Sequence, residues 1–174
     1  MKIIKILFFC FIFSLSVNAQ SVKGALTLNG SSENELQLKS NSAVQLFKDF
    51  KTGKYKLGFE FKSDGLPLNS QKETIVFFDF ITIVKKDGKL VKNVQRKQPI
   101  PYFPGDMGLP AEAFDFIGVL ASSFSGKESV KERMTKGSQG IMPEGKYDVQ
   151  LIIKPVGYKG EIAPLEFSFK VGKR

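Results

Sequence analysis

The chain has 174 residues, 42% of them hydrophobic, and carries 26 Lys and Arg against 17 Asp and Glu, a net charge of +9. It holds no histidine, no tryptophan and a single cysteine, which excludes Ser-His-Asp and Cys-His nucleophilic systems and removes the usual ligands of zinc and most transition metals. Neither a Gly-x-x-x-x-Gly-Lys-Ser/Thr phosphate loop nor a dinucleotide fingerprint is present, so no cofactor is expected.

In chain order, Lys2 and Lys5 form a basic start, residues 6–13 an apolar run, and Val17-Asn18-Ala19 a small-residue stretch before Gln20. Residues 1–19 therefore read as a secretory signal peptide, and residues 20–174 as one exported domain. The apolar run is too short for a membrane-spanning helix, which needs roughly 20 residues, and no later stretch is a candidate. Cys10 follows Leu7-Phe8-Phe9 rather than the small residues of a lipoprotein signal, so no lipid anchor is expected there. The processed chain then has no disulfide, and about 155 residues are enough to bury a core without one. Export without cysteine points to a bacterial periplasm or cell surface. Losing Lys2 and Lys5 leaves 24 basic against 17 acidic residues, or +7. Arginine is present only as Arg96, Arg133 and Arg174. Lysine lacks the planar fork that reads phosphates and base edges, so the charge predicts no nucleic-acid partner and a weak attraction to anionic surfaces.

The exported part reads as β. Residues 22–28 are a first strand, and residues 43–50 a second, with Val44 and Leu46 or Phe47 on its apolar side. Residues 54–62 alternate strictly, with Tyr55, Leu57, Phe59 and Phe61 on one face, as a half-buried strand requires. A turn follows at 63–67. Residues 74–84 are apolar on both faces and predict a strand inside a sheet or under a covering loop. Lys85-Lys86-Asp87-Gly88-Lys89 is a tight hairpin turn by its Asp-Gly pair, and 90–94 returns as the partner strand. Residues 98–111 hold Pro99, Pro101, Pro104 and Pro110, too many missing donors for a central strand, and predict an ordered surface loop. Residues 110–123 open as a short helix from Pro110, with a strand at 114–120 as the alternative. Residues 126–140 are polar and hold either a short helix near 129–134 or a plain connection. Residues 146–153 and 165–171 are strands, the last with Leu165, Phe167, Phe169 and Val171 alternating.

Met142-Pro143-Glu144-Gly145-Lys146-Tyr147, just before a strand, resembles the tyrosine corner of immunoglobulin-like and fibronectin-type-III-like sandwiches. The resemblance implies that Gly145 makes the turn and that the Tyr147 hydroxyl bonds to backbone between residues 140 and 143. Together with seven or more short strands separated by turns, the expected fold is all-β: a single antiparallel, Greek-key-like β-sandwich with room for one short helix. The antibody-type Cys and Trp are absent.

For function, two places stand out. Tyr102 and Phe103 sit among the prolines of the 99–110 segment, where a stiff loop presents them to a partner or tucks them under to close the core. Lys85, Lys86, Lys89, Lys92, Arg96 and Lys97 form a basic stretch that meets an anionic partner or serves as a soluble, edge-protecting surface. Asp79 interrupts an apolar strand face and is the leading acid for a carboxylate-dependent glycan hydrolase; Asp106 and Asp115 lack calcium-loop spacing. Of the tyrosines, Tyr55 and Tyr147 read as internal, leaving Tyr102 and Tyr158 for a sugar platform. The expected function is noncatalytic binding of another envelope protein or a surface glycan, with a carboxylate-dependent glycan hydrolase or a carbohydrate-binding module as the alternatives.

Overall fold

Strict alternation of side chains organises the molecule. In a computed structural model, which describes residues 20–29, 33–36, 43–124 and 142–172, the strands are β1 (Ser21–Leu28), β2 (Glu33–Leu36), β3 (Leu57–Asp64), β4 (Val76–Lys86), β5 (Lys89–Gln95), β6 (Ile100–Tyr102), β7 (Gly105–Leu109), β8 (Gly145–Pro155), β9 (Lys159–Ala163) and β10 (Leu165–Val171). Two helices, α1 (Ala43–Lys51) and α2 (Phe116–Phe124), and a 3-10 turn at Ala111–Ala113 complete it. The strands form a four-stranded sheet in the order β7-β3-β1-β9 and a six-stranded sheet in the order β2-β10-β8-β4-β5, with β6 also paired to β4. The chain is thus mostly β, in two sheets, with little helix.

The alternation in 54–62 and 165–171 is realised as burial. Leu57, Phe59 and Phe61 of β3 are buried, as are Leu165, Phe167, Phe169 and Val171 of β10. From β4, Val76, Phe78, Phe80, Thr82 and Val84 point the same way. Phe78 meets Phe59 and Phe61 of the other sheet at ring-centroid distances of 5.2 and 4.9 Å, and the buried residues of both sheets belong to one hydrophobic cluster. Thr82 is the polar exception on this face; its hydroxyl donates to the Phe114 carbonyl at 2.8 Å, which removes the cost of burying it.

Residues 43–50 are a helix and not the strand their apolar content suggests. Leu46, Phe47 and Phe50 fall on one side at helical spacing, with Leu46 fully buried and Phe47 and Phe50 packed against the core. The buried Asp49 carboxylate accepts from Gln45 Nε2 at 2.9 Å and from Lys54 Nζ at 2.7 Å. Gly53, at φ 79, closes the C-terminus, its N–H donating to the Phe50 carbonyl. Nine residues make a marginal helix by themselves, so tertiary burial of Leu46 and satisfaction of Asp49 decide the conformation.

The proline-rich segment 98–111 is also more structured than a loop. It adds one short strand to each sheet: β6 pairs with β4, and β7 pairs with β3 at the sheet edge. Pro104 sits at the step between the sheets, where a missing donor costs no ladder bond. Pro164 marks the same kind of step between β9 and β10. The chain passes from one sheet to the other between β1 and β2 as well. β1 pairs with β9, and β2 with β10, both parallel, which corrects the expectation of antiparallel pairing throughout. β2 and β9 were not legible as strands; neither ENEL nor KGEIA alternates.

Residues 110–123 are helical rather than a strand: Pro110 precedes the 3-10 turn and α2 follows Asp115, whose φ is 51. The 85–89 turn is a hairpin, with Asp87 at φ 48 and Gly88 at φ 76, the paired positive angles that match strand twist. Residues 1–19 and 126–140 lie outside the described residues. No helix among the described residues is long and apolar enough to cross a membrane.

Candidate functional site

Tyr102 and Phe103 take opposite surroundings. Tyr102 stands opposite the buried Val76, and its ring lies 6.0 Å from Phe59, 6.4 Å from Phe78 and 6.0 Å from Phe80. Burial raises its hydroxyl above the ordinary phenol value, against a smaller lowering by Arg96. Phe103 is 52% exposed. Neighbouring residues of an extended chain point to opposite sides, so the segment does not present both rings. Tyr102 closes the core and Phe103 faces solvent.

The basic stretch does not form one patch either. The Lys86 ammonium is paired with the Asp87 carboxylate, and Arg96 Nη1 donates to the Glu112 carbonyl at 3.2 Å, tying β5 to the 3-10 turn. Both cations are engaged within the fold. Lys85, Lys89, Lys92 and Lys97 are exposed. A bulge between Val84 and Lys85 sets Lys92 opposite Val84 but Leu90 opposite Lys85, so Lys85 and Lys92 belong to opposite faces of the hairpin.

What the structure does bring onto one surface is the outer face of the six-stranded sheet. Along β4 this face shows Phe77, Asp79, Ile81, Ile83 and Lys85, the positions between the buried ones. Phe77 is 50% exposed. It pairs with Pro101 on one side, and on the other its carbonyl accepts from the Val156 N–H at 2.8 Å; Val156 is 39% exposed. Phe77 and Val156 make an apolar end of this face, and Phe103 follows two residues after Pro101. Lys85 lies eight residues along from Phe77, about 26 Å at roughly 3.3 Å per residue. Near Lys85 a depression of about 330 Å³ is bordered by Ile83, Lys85, Asp148, Gln150, Glu166 and Ser168. Gln150 Nε2 donates to Glu166 Oε1 at 2.7 Å, and Lys146 Nζ stands 3.1 Å from Asp148 Oδ1.

The other predicted residues are placed as follows. Tyr147 is fully buried, its ring stacked on Phe169 at 5.1 Å, and its hydroxyl donates to the Pro143 carbonyl at 2.7 Å. Burial, and secondarily the Asp87 charge, push that hydroxyl up to about 12. Gly145 has φ 148, a backbone conformation that favours glycine, and a Cβ there would press on the movable ends of the Asp87 and Lys86 side chains. Asp79 is half-buried on the outer face, opposite Lys154 of β8. Asp106 belongs to the other sheet, opposite Glu60, and Asp115 precedes α2. The three acids singled out from sequence are not brought together. Among the described residues no group of three or more His, Cys, Asp or Glu is arranged to hold a metal ion. Tyr55 and Tyr147 are held in the core, and Tyr102 and Tyr158 are partly buried against it.

A concavity that sequence reasoning missed lies where α1 meets the β7 edge. About 360 Å³ in volume, it is walled by Phe47, Phe50, Tyr55, Leu57, Leu109 and Pro110. Its walls come from α1, β3 and the end of the proline-rich segment. Taking residues 43–50 as a strand hid it.

No protein-family model matches the chain, and no curated protein does. Among solved structures, one described as the crystal structure of a protein from Archaeoglobus fulgidus is 11% identical over 86% of this chain and 97% of that one. Its TM-score of 0.28 is too low to carry a fold or functional argument.

Proposed function

We propose that this chain is an exported, noncatalytic interaction module, its two sheets forming one Greek-key-like sandwich, and that it docks another envelope protein through the outer face of the six-stranded sheet. The carrying observation is the apolar end of that face. Phe77, on a strand whose other face is locked into the core, is 50% exposed next to Val156 at 39%, and Phe103, just past β6, is 52% exposed. Aromatic anchors on a rigid scaffold are what protein interfaces concentrate, and clustered exposed apolar side chains mark interaction sites more often than isolated ones do. Lys85 at the far end adds a weak, salt-sensitive attraction to an acidic partner or anionic surface. The engagement of the tyrosines with the core favours a protein over a surface glycan, and the separation of Asp79 from Asp106 speaks against a carboxylate-dependent glycan hydrolase.

The test is capture of partners from the native envelope by the mature chain, with identification by mass spectrometry. The wild type should retain a specific protein that the Phe77→Ser, Phe103→Ser double variant loses, while both melt at nearly the same temperature. Retention of the same protein by the double variant would remove this face from consideration.

A further inference from the structure

The concavity beside α1 continues across the free edge of β7. A second hollow, about 440 Å³, is bordered by Thr27, Asn29, Gly53, Gly58, Asp106 and Met107. The two share Lys56, Leu57 and Gly108, so they adjoin around the β7 edge at Gly108. The first has the volume of a small-molecule site, whereas the second is shallow and largely open to solvent.

Gly108 has no structural reason to be glycine. It lies within β7, paired with Gly58, and its φ is outside the left-handed region that favours glycine. A Cβ built on it meets nothing within 4 Å. The contrast with its neighbours is direct: a Cβ at Gly58 would lie 2.5 Å from Thr27 Oγ1, and one at Gly24 would lie 2.2 Å from the Glu60 carbonyl. Those glycines are demanded by packing. A glycine inside a strand weakens it and often marks a bulge, a tight bend or the close approach of a ligand or another backbone; β7 pairs with β3 in unbroken register, with no bulge there.

The lining indicates what approaches. The first hollow is the apolar half, with Phe47, Phe50 and Pro110. At the junction stands Lys56, and Lys51 flanks the apolar half. Both are exposed, and among the described residues neither ammonium is in an ion pair. Glu112 borders the apolar half and Asp106 the other hollow. Acids on both sides confine the positive potential to the middle and suit one singly charged head rather than a polyanion.

We propose that these adjoining hollows bind a single-chain amphiphilic carboxylate, its apolar tail against Phe47, Phe50 and Pro110 and its carboxylate beside Lys56, with the ligand crossing the bare backbone at Gly108. The site is separate from the outer face of the six-stranded sheet and stands independently of the docking reading.

Calorimetric titration of the mature protein with decanoate, and with decanol as the uncharged counterpart, tests it. Wild type should bind decanoate more tightly than decanol. Gly108→Val should weaken decanoate binding by roughly tenfold or more by filling the crossing point, while its melting temperature stays the same or rises, since a β-branched residue replaces a strand glycine without a clash. Lys56→Gln should bring decanoate down to the affinity of decanol, a readout that holds even if the valine variant folds poorly. Decanoate binding by Gly108→Val equal to wild type, equal affinity of wild type for the two probes, or no binding by wild type would each overturn the proposal.

Discussion

The backbone N–H of Asp87 donates to the Lys146 carbonyl at 2.8 Å, and the Lys146 N–H returns to the Asp87 carboxylate at Oδ1, also 2.8 Å. This reciprocal pair fastens the tip of the β4–β5 hairpin to the start of β8, next to the fully buried Tyr147. The Asp-Gly turn and the Tyr147 corner, remote in sequence, are one structural unit. Gly145 is enclosed by it, and the Lys86 ammonium is drawn into it.

Asp87 makes the hairpin tip sensitive to acid. Its carboxyl is held below the ordinary value of 3.8, first by the hydrogen bond from Lys86 and then by the Lys146 N–H. A carboxylate with a depressed folded value contributes stability that is complete above its unfolded value and is lost as pH falls through the folded one. We predict that wild type loses this contribution below 3.8, and that Asp87→Asn, which keeps the turn conformation available, shows a flatter melting profile there. Identical acid limbs for the two proteins would refute the assignment.

Tyr147 does the converse at alkaline pH. Its folded value of about 12, against an ordinary 10.0, means that the neutral hydroxyl is favoured in the fold. That contribution is complete below 10.0 and disappears as pH rises toward 12. Tyr147→Phe keeps the ring stacked on Phe169 but removes the donor to Pro143. The expected loss at neutral pH is about 1 kcal/mol, rising to about 3 if the carbonyl is left without a partner, together with a flatter alkaline limb. Denaturant unfolding at neutral and alkaline pH measures both, and an unchanged midpoint would mean that the hydrogen bond contributes nothing net.

Tyr102 and Phe103 should separate cleanly under alanine substitution. Tyr102→Ala removes a ring that touches Phe59, Phe78 and Phe80, and the expected cost is about 3 kcal/mol, the low end for aromatic core truncations because Tyr102 is only half-buried. Phe103→Ala should stay within about 0.5 kcal/mol while reducing capture of the docking partner. Equal destabilisation by the two changes would place Phe103 in the core and weaken the case for the docking face.

Export is tested directly by intact-mass measurement on the protein recovered from the envelope. The start of the chain predicts an N-terminus near Gln20; recovery of the form beginning at Met1 would reject cleavage.

Much of this was legible in the sequence because it depends on short-range pattern. A strict two-residue period admits one extended conformation with one buried face, so residues 57–61 and 165–171 declared both their strands and their core side chains. The Asp87-Gly88 turn was legible because few residue pairs adopt two successive positive φ angles at low cost. Residues 43–50 were not, because a short apolar run fits both a strand face and a helix face. Only the burial of Leu46 and the partners of Asp49 separate the two.

Nor does any local rule announce where a chain steps between sheets, so the parallel pairs β1–β9 and β2–β10 and the strands within the proline-rich segment had no signature. The candidate surfaces follow the same division. Composition by itself removed histidine-dependent chemistry and gave the surface its lysine character. Which of the marked residues face solvent was decided by tertiary contacts: Tyr102 turned toward the core, Lys86 joined Asp87, and Phe103 stayed exposed. The physical reason is that residue type sets what a side chain is able to do, whereas exposure and partnership belong to pairs of residues brought together from distant parts of the chain.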